Sequence, residues 1–459
     1  MIYFDHNATT PILPVARQAW LDAVEKFIGN PSSPHRVGGR ADAAITGARQ
    51  RLAEFLGCDA LELVWTSGAT ESNNTVLHHF ARTLPSTAEV WVSAIEHPCV
   101  MASTKHYFPK RHRLIPVARE GVVDLNWLAE EMARARPGLV AIMAANNETG
   151  VLQPWREALA ICRQWDVPFF CDAAQWIGKL PASGLGECKF VSGAAHKFGG
   201  PKGVGLLKCP AKGPVEPLLR GGPQEEGRRA GTENVAGILS MLAALEVREA
   251  MLRSEGQPTP ASSSIQNASP LIPSLCHSEG ERDGVRGPLA GSTLPGAIKI
   301  RRLGSQERQE TRVPASPPGK DEGWVRRSPT PGSVHSEAVQ LRLAWRDAFI
   351  ERMLKALPGA EVVGLRQPRL WNTVSALMPK ADCQQRWVVK LDKLGFAVST
   401  GSACSSGKEE PSHVIAAMSY SPHEAGRVLR FSGGWETTED DWQALLEALQ
   451  KVHRGMSKP

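Results

Sequence analysis

The chain has 459 residues, 42% of them hydrophobic and 22% charged, with a net charge of +6. That length allows two or three domains with cores of their own, and the composition is that of an ordinary globular protein. The positive excess is mild, and no basic run interleaves with aromatics, so nothing points to nucleic acid. No apolar run of about 18 residues suggests a membrane span.

The nine cysteines are scattered, with no C-x-x-C pair. Zinc and dithiol redox motifs are therefore unsupported, and no metal site is expected. The amino terminus, Met1-Ile2-Tyr3-Phe4-Asp5-His6, lacks the basic-then-apolar pattern of a secretory signal. A reducing, cytoplasmic setting with mostly free thiols is the expectation.

From about Arg40 to Val247, short apolar runs alternate with helix-length segments. Leu61 to Trp65, Glu89 to Ser93, Leu139 to Ala144, Pro168 to Cys171, Phe190 to Ser192 and Gly205 to Lys208 read as buried strands. Thr70 to Thr83, Leu125 to Ala135, Trp155 to Asp166 and Ala236 to Met251 read as helices. This alternation predicts an α/β fold with a mostly parallel sheet covered by helices. Residues 254–335 are rich in Pro, Gly and Ser without a hydrophobic period, which predicts a disordered insertion. Helical patterns resume at Ala338 to Leu357, Val388 to Leu394 and Asp440 to Val452. The expected layout has four parts. Residues 1–15 form an amino-terminal segment joining the small domain, and 16–251 form the large domain. Residues 252–335 form the insertion, and 336–459 form a smaller α+β domain.

Chemistry gathers at the predicted strand ends. Thr66-Ser67-Gly68-Ala69-Thr70 leads from a strand into a helix, whose free N–H groups can face a phosphate. His97 could stack on a ring or relay protons, or simply cap a surface turn. Asn146-Asn147-Glu148 could bond a ring hydroxyl or only make a turn. Asp172 closes the run Phe169-Phe170-Cys171, and Lys197 follows Phe190-Val191-Ser192. A lysine and an aspartate delivered this way are what pyridoxal phosphate (PLP) requires. The lysine forms a Schiff base and the aspartate keeps the pyridine nitrogen protonated. Further on, Gly401-Ser402-Ala403-Cys404-Ser405-Ser406-Gly407 presents a cysteine among small residues, suited to an exposed thiol. Arg430, on the strand-like run Val428 to Ser432, could clamp a carboxylate.

Taken in this order, the segments resemble the class V aminotransferase family, and within it the NifS/IscS-like cysteine desulfurases. The resemblance runs from Tyr3-Phe4-Asp5-His6-Asn7-Ala8-Thr9-Thr10 through Ser67-Gly68-Ala69-Thr70-Glu71-Ser72, Glu96-His97, Asp172-Ala173-Ala174-Gln175, His196-Lys197 and Arg229-Ala230-Gly231-Thr232. It continues to the Gly-Ser-Ala-Cys loop and Arg430. It implies a fold type I, aspartate aminotransferase-like architecture that converts L-cysteine to L-alanine and leaves sulfur on Cys404 as a persulfide. Lys197, Cys404 and His97 would be catalytic. Ala69, Thr70, His97, Asn146, Asp172, Gln175, His196 and Lys197 would hold the cofactor. Thr232 would reach it from a partner subunit of a homodimer. Asn372 and Arg430 would bind the substrate carboxylate. The sulfur acceptor would be a protein such as an iron–sulfur scaffold, with no role for nucleic acid or membrane. Ala194 stands where the family pattern carries a serine. The alternatives are another class V PLP reaction (aminotransferase, selenocysteine lyase or desulfinase) and a non-enzymatic scaffold with a decayed site.

Overall fold

The computed structural model describes residues 1–213, 215–253, 336–380, 384–401 and 412–456. The predicted insertion from residue 254 onward and Cys404 lie outside the described residues.

A short strand β1 (Ile2–Tyr3) precedes two helices, α1 (Pro14–Lys26) and α2 (Arg36–Leu56). Pro14 opens α1, where its missing N–H costs no helical bond. His35 caps α2 by accepting from Gly38 N, and Gly57, at φ 74°, ends it. Next come β2 (Leu63–Thr66), α3 (Ala69–Thr83), β3 (Val90–Ser93), α4 (Pro98–Tyr107), β4 (His112–Ile115), α5 (Leu125–Arg134), β5 (Leu139–Ala141) and α6 (Trp155–Gln164). After them come β6 (Phe169–Asp172), β7 (Phe190–Ala194), β8 (Gly205–Lys208) and α7 (Val235–Met251).

Strands β2 to β8 form one seven-stranded sheet in the order β2-β8-β7-β6-β5-β3-β4. Strands β3 to β7 pair in parallel, and β8 runs antiparallel to both neighbours. The expected run Leu61 to Trp65 is displaced, because residues 60–62 form a single 3-10 turn closed by a capping box between Asp59 and Glu62. Beyond β5, Ile142 and Ala144 keep donating to Phe170 O and Asp172 O at 3.1 and 2.8 Å, so the extended chain reaches Ala144 as the hydrophobic run suggested. Both faces of this sheet are covered, by Trp91, Ile142, Phe169 and Val191 on one side and Val92, Phe170, Phe190 and Leu207 on the other. That explains the unbroken apolar strands.

The remaining elements are α8 (Glu337–Ala356), β9 (Glu361–Val362), β10 (Thr373–Leu377), α9 (Gln384–Lys393), β11 (Phe396–Ala397), α10 (His413–Ala417), α11 (Pro422–Ala425), β12 (Val428–Ser432) and α12 (Glu439–Met456). Strands β12, β10 and β9 make a three-stranded antiparallel sheet, and β1 pairs in parallel with β11. Phe4, Phe349, Trp387, Phe431 and Trp442 anchor a separate hydrophobic cluster there. Ser336 caps α8, and its hydroxyl donates to Met251 O at 2.6 Å, so the described chain closes on itself on either side of residues 254–335. Among the described residues, no helix is long and apolar enough to cross a membrane.

Candidate active site

The carboxyl ends of β2, β3, β5, β6 and β7 open onto one cavity of about 540 Å³. This is where open parallel sheets bind ligands, because the following helix starts and loops diverge there. Residues 8–9 of the amino-terminal segment form the opposite wall.

Each strand delivers a particular side chain. After β2, Gly68 adopts φ 153°, a backbone conformation side chains disfavour, and α3 begins at Ala69 with Thr70 on the cavity wall. A Cβ on Gly205 of β8 would lie 2.5 Å from Gly68 Cα, so two glycines are needed for this turn to sit against the sheet. After β3, His97 caps α4. Its Nδ1 accepts from Cys99 N at 3.2 Å and lies 2.9 Å from Cys99 Sγ. A ring nitrogen that accepts a backbone N–H carries no proton, so the neutral ring has its hydrogen on Nε2. Burial lowers the His97 pKa; Asp172 opposes this, and the charges of Lys197 and His413 reinforce it.

Asp172 ends β6. Its Oδ2 accepts from Asn73 Nδ2 at 2.7 Å and its Oδ1 from Ala174 N at 3.0 Å. Lys197 follows β7, in a tight turn spanning residues 195–197, and its Nζ donates to Asn7 O at 2.7 Å and Ala8 O at 2.9 Å. His196 lies beside Thr9, with Nδ1 3.2 Å from Thr9 Oγ1. Burial, with Lys197, Lys202 and Lys179 nearby, pushes its pKa down to about 4, so the imidazole is neutral.

Ala69, Thr70, His97, Asp172, Gln175, His196 and Lys197 all line the cavity. Asn146 is fully buried behind it: Nδ2 donates to Ile95 O, and Oδ1 accepts from Glu148 N and Thr149 N. Its neighbour Asn147 faces the cavity instead. Thr232 is exposed and sits away from the lining. Asn372 and Arg430 are buried outside the lining. Arg430 Nη2 donates to Asp5 Oδ1 at 2.6 Å, and Nη1 to Asn147 O and Gly401 O. Asn372 Nδ2 donates to Asn7 Oδ1 and Gly433 O. Ala194 lines the cavity, and Ser192 Oγ is buried without a partner elsewhere.

The sequence reading gave no role to Asn7, Cys99 or Lys179, and of the pair Asn146-Asn147 it carried only Asn146 into the site. Lys179 is the one with a visible signal: a lysine inside Trp176-Ile177-Gly178-Lys179-Leu180, four residues after Gln175. It is 3% exposed.

The groups present fit PLP. The cavity offers a primary amine, a carboxylate held by two donors, an imidazole, and the first turn of a 15-residue helix. The amine suits a carbonyl carbon and the carboxylate a pyridinium. The helix start, with neutral His196 and Lys202 beside it, suits a phosphate.

The family model described as Aminotransferase class-V matches residues 2–257. A cysteine desulfurase from Klebsiella pneumoniae is 32% identical over 455 residues, covering 98% of this chain and 92% of the relative. The cysteine desulfurase IscS from Dictyoglomus turgidum is 31% identical and covers 98% and 94%. Among solved structures, a NifS-like protein superposes with a TM-score of 0.73 at 25% identity, covering 99% of both chains. A NifS-like protein from Rickettsia africae gives 0.72 at 25% identity over the same shares. With a fold type I sheet and a lysine–aspartate pair at its carboxyl edge, this chain belongs to the class V aminotransferase family.

Proposed function

We propose that the protein is a PLP-dependent cysteine desulfurase that converts L-cysteine to L-alanine and passes the sulfur to Cys404. The observation that carries this reading is the meeting of Lys197 and Asp172, from the adjacent strands β7 and β6, in one cavity beside His97. The full-length relatives named cysteine desulfurase support the same choice of substrate.

Bound PLP supplies an electron sink that acidifies the substrate Cα–H. Asp172 holds the pyridine nitrogen, its own orientation fixed by Asn73 and Ala174. Gln175 would face the ring oxygen and His97 the ring, and Ala69, Thr70 and His196 would hold the phosphate. Lys197 would anchor the cofactor, and its Nζ would take the Cα proton. His97 Nε2–H serves as the second proton carrier. The Cys404 thiolate attacks the substrate Sγ. The new S–S bond forms as the Cβ–Sγ bond breaks and its electron pair stays with Cβ; Cβ takes one proton and Cα regains one from Lys197, giving alanine. Asn372 and Arg430 hold the substrate carboxylate; for Arg430 this means giving up or sharing its contact with Asp5.

The same reading assigns the cofactor to residues 16–251, and the carboxylate site and thiol to residues 336–459 joined by 1–15. The two separate hydrophobic clusters support that division. It also makes the protein a cytoplasmic homodimer, with Thr232 reaching the partner's phosphate, and makes the sulfur acceptor an iron–sulfur scaffold or another thiolation protein.

Purified Cys404→Ala, given L-cysteine and a thiol reductant, tests the reading. Sulfide release should fall to background while the visible band of bound cofactor persists. Release at the wild-type rate refutes a desulfurase and favours another class V reaction that needs no thiol.

A further inference from the structure

The turn after β6 places Gln175 and Lys179 side by side. Trp176 N and Ile177 N donate to Ala173 O, and Lys179 N and Leu180 N donate to Trp176 O. These two successive turns, with Gly178 at φ 74° between them, bring Gln175 and Lys179 together. Lys179 Nζ donates to Gln175 Oε1 at 2.6 Å and to Asn7 Oδ1 at 2.7 Å. Both acceptors are neutral, and among the described residues no carboxylate pairs with it.

A buried cation without a counter-charge is a costly choice where an apolar side chain would fit. Its bonds show what it does. A lysine offers only donors, and a side-chain amide has one accepting end and one donating end. Contact with Lys179 therefore turns Gln175 Oε1 away from the cavity. Nε2 becomes the only polar end that Gln175 can offer there, and one of its hydrogens already goes to Asn7 O at 2.9 Å. The same lysine fixes Asn7, whose carbonyl also receives Lys197 Nζ, and whose Nδ2 donates to Asn147 O and Thr373 Oγ1. Burial, then Lys197 and Arg430, lowers the Lys179 pKa well below its usual value. The two N–H donors used here are present in the charged and the neutral amine alike.

We infer that Lys179 is a positioning residue of this site. It orients the amide of Gln175 so that only N–H can meet the ring oxygen of the cofactor, and it holds Asn7 where its carbonyl cradles Lys197. This rests on the PLP reading above. An N–H donor stabilises the anionic form of a ring oxygen, so losing it raises the pH midpoint at which the bound cofactor's visible band titrates.

The experiment uses the full-length holoprotein and reads PLP affinity and the pH midpoint of that band. Lys179→Met should weaken PLP about tenfold, or about 1.4 kcal/mol, and raise the midpoint. Gln175→Leu should raise the midpoint by the same amount, and the double variant no further. A folded Lys179→Met with an unchanged midpoint overturns the inference, as does a double variant whose shift is the sum of the two. Lys179→Gln keeps an NH2 group with two N–H donors and serves if Lys179→Met does not fold. It should retain the wild-type midpoint, and a shift as large as that of Gln175→Leu overturns the inference. Wild-type protein that never forms the band refutes the cofactor reading and this inference with it.

Discussion

Arg49 and Glu225 form a forked ion pair between α2 and the segment leading to Thr232. Nη1 and Nη2 reach the two carboxylate oxygens at 2.8 Å each. The side chains are 16% and 1% exposed. Arg49→Met removes both bonds and the Nη1 donation to Leu63 O at 2.5 Å, and leaves the carboxylate buried, with Trp65 N (3.1 Å) as its remaining described partner. Breaking a buried pair from one side costs about 3–5 kcal/mol, mostly because the remaining charge is stranded. The guanidinium keeps some solvent contact, so the lower end, about 3 kcal/mol, is expected. The methionine chain retains packing against the Trp65 ring, over which Arg49 now lies at 5.3 Å, so lost packing adds little. The double variant Arg49→Met/Glu225→Gln removes the stranded charge and should recover more than half of the loss. Urea unfolding followed by circular dichroism, at fixed protein and PLP concentrations, measures both. A loss below about 1 kcal/mol in the single variant, or a double variant less stable than the single, refutes the claim that a stranded charge dominates.

Glu96 is fully buried, and its Oε1 accepts from Met143 N at 2.7 Å. Burial, then Asp172, pushes its pKa up to about 8 from 4.5. In that window the folded protein keeps a proton that the unfolded chain has released, so this group's contribution to stability falls as pH rises. Between pH 5 and pH 9, Glu96→Gln should gain on wild type in unfolding stability, measured by urea unfolding, by at least about 1 kcal/mol, and a constant difference across that range refutes the assignment. Replacing residues 254–335 by a short Gly/Ser linker should preserve PLP binding and desulfurase activity, since Ser336 Oγ already meets Met251 O. Loss of the soluble holoprotein on gel filtration would contradict this.

Six strands of the large sheet were legible because they are apolar on both faces, while the edge strand β4, polar and only partly buried, was not; Lys197 and Asp172 were legible because each closes such an apolar run. Helices α1 and α2 were not. α1 buries only Ala16 and Ala23 and exposes Trp20, Leu21 and Val24, so no apolar stripe marks its packed face. The choice between Asn146 and Asn147 depends on which side of a turn faces the cavity, and their spacing carries no record of that. Arg430 is expected to meet a substrate carboxylate, whereas the carboxylate it meets in this structure is Asp5, a partner 425 residues away that no local pattern reveals. Lys179 was hidden because a lysine between apolar neighbours looks like a surface residue until the acceptors of Asn7 and Gln175 are placed around it.

That distance has a consequence for biosynthesis. Asp5 bonds Arg430, Asn7 N bonds Ser432 Oγ, and β1 pairs with β11. These residues leave the ribosome well before the partners they pair with are made. Contacts so distant in sequence form late, because the chain between them must be closed before they contribute. The cavity wall carrying Asn7 is completed only when synthesis has passed Ser432. Any truncated product ending earlier holds Lys197 and Asp172 without the wall that positions them.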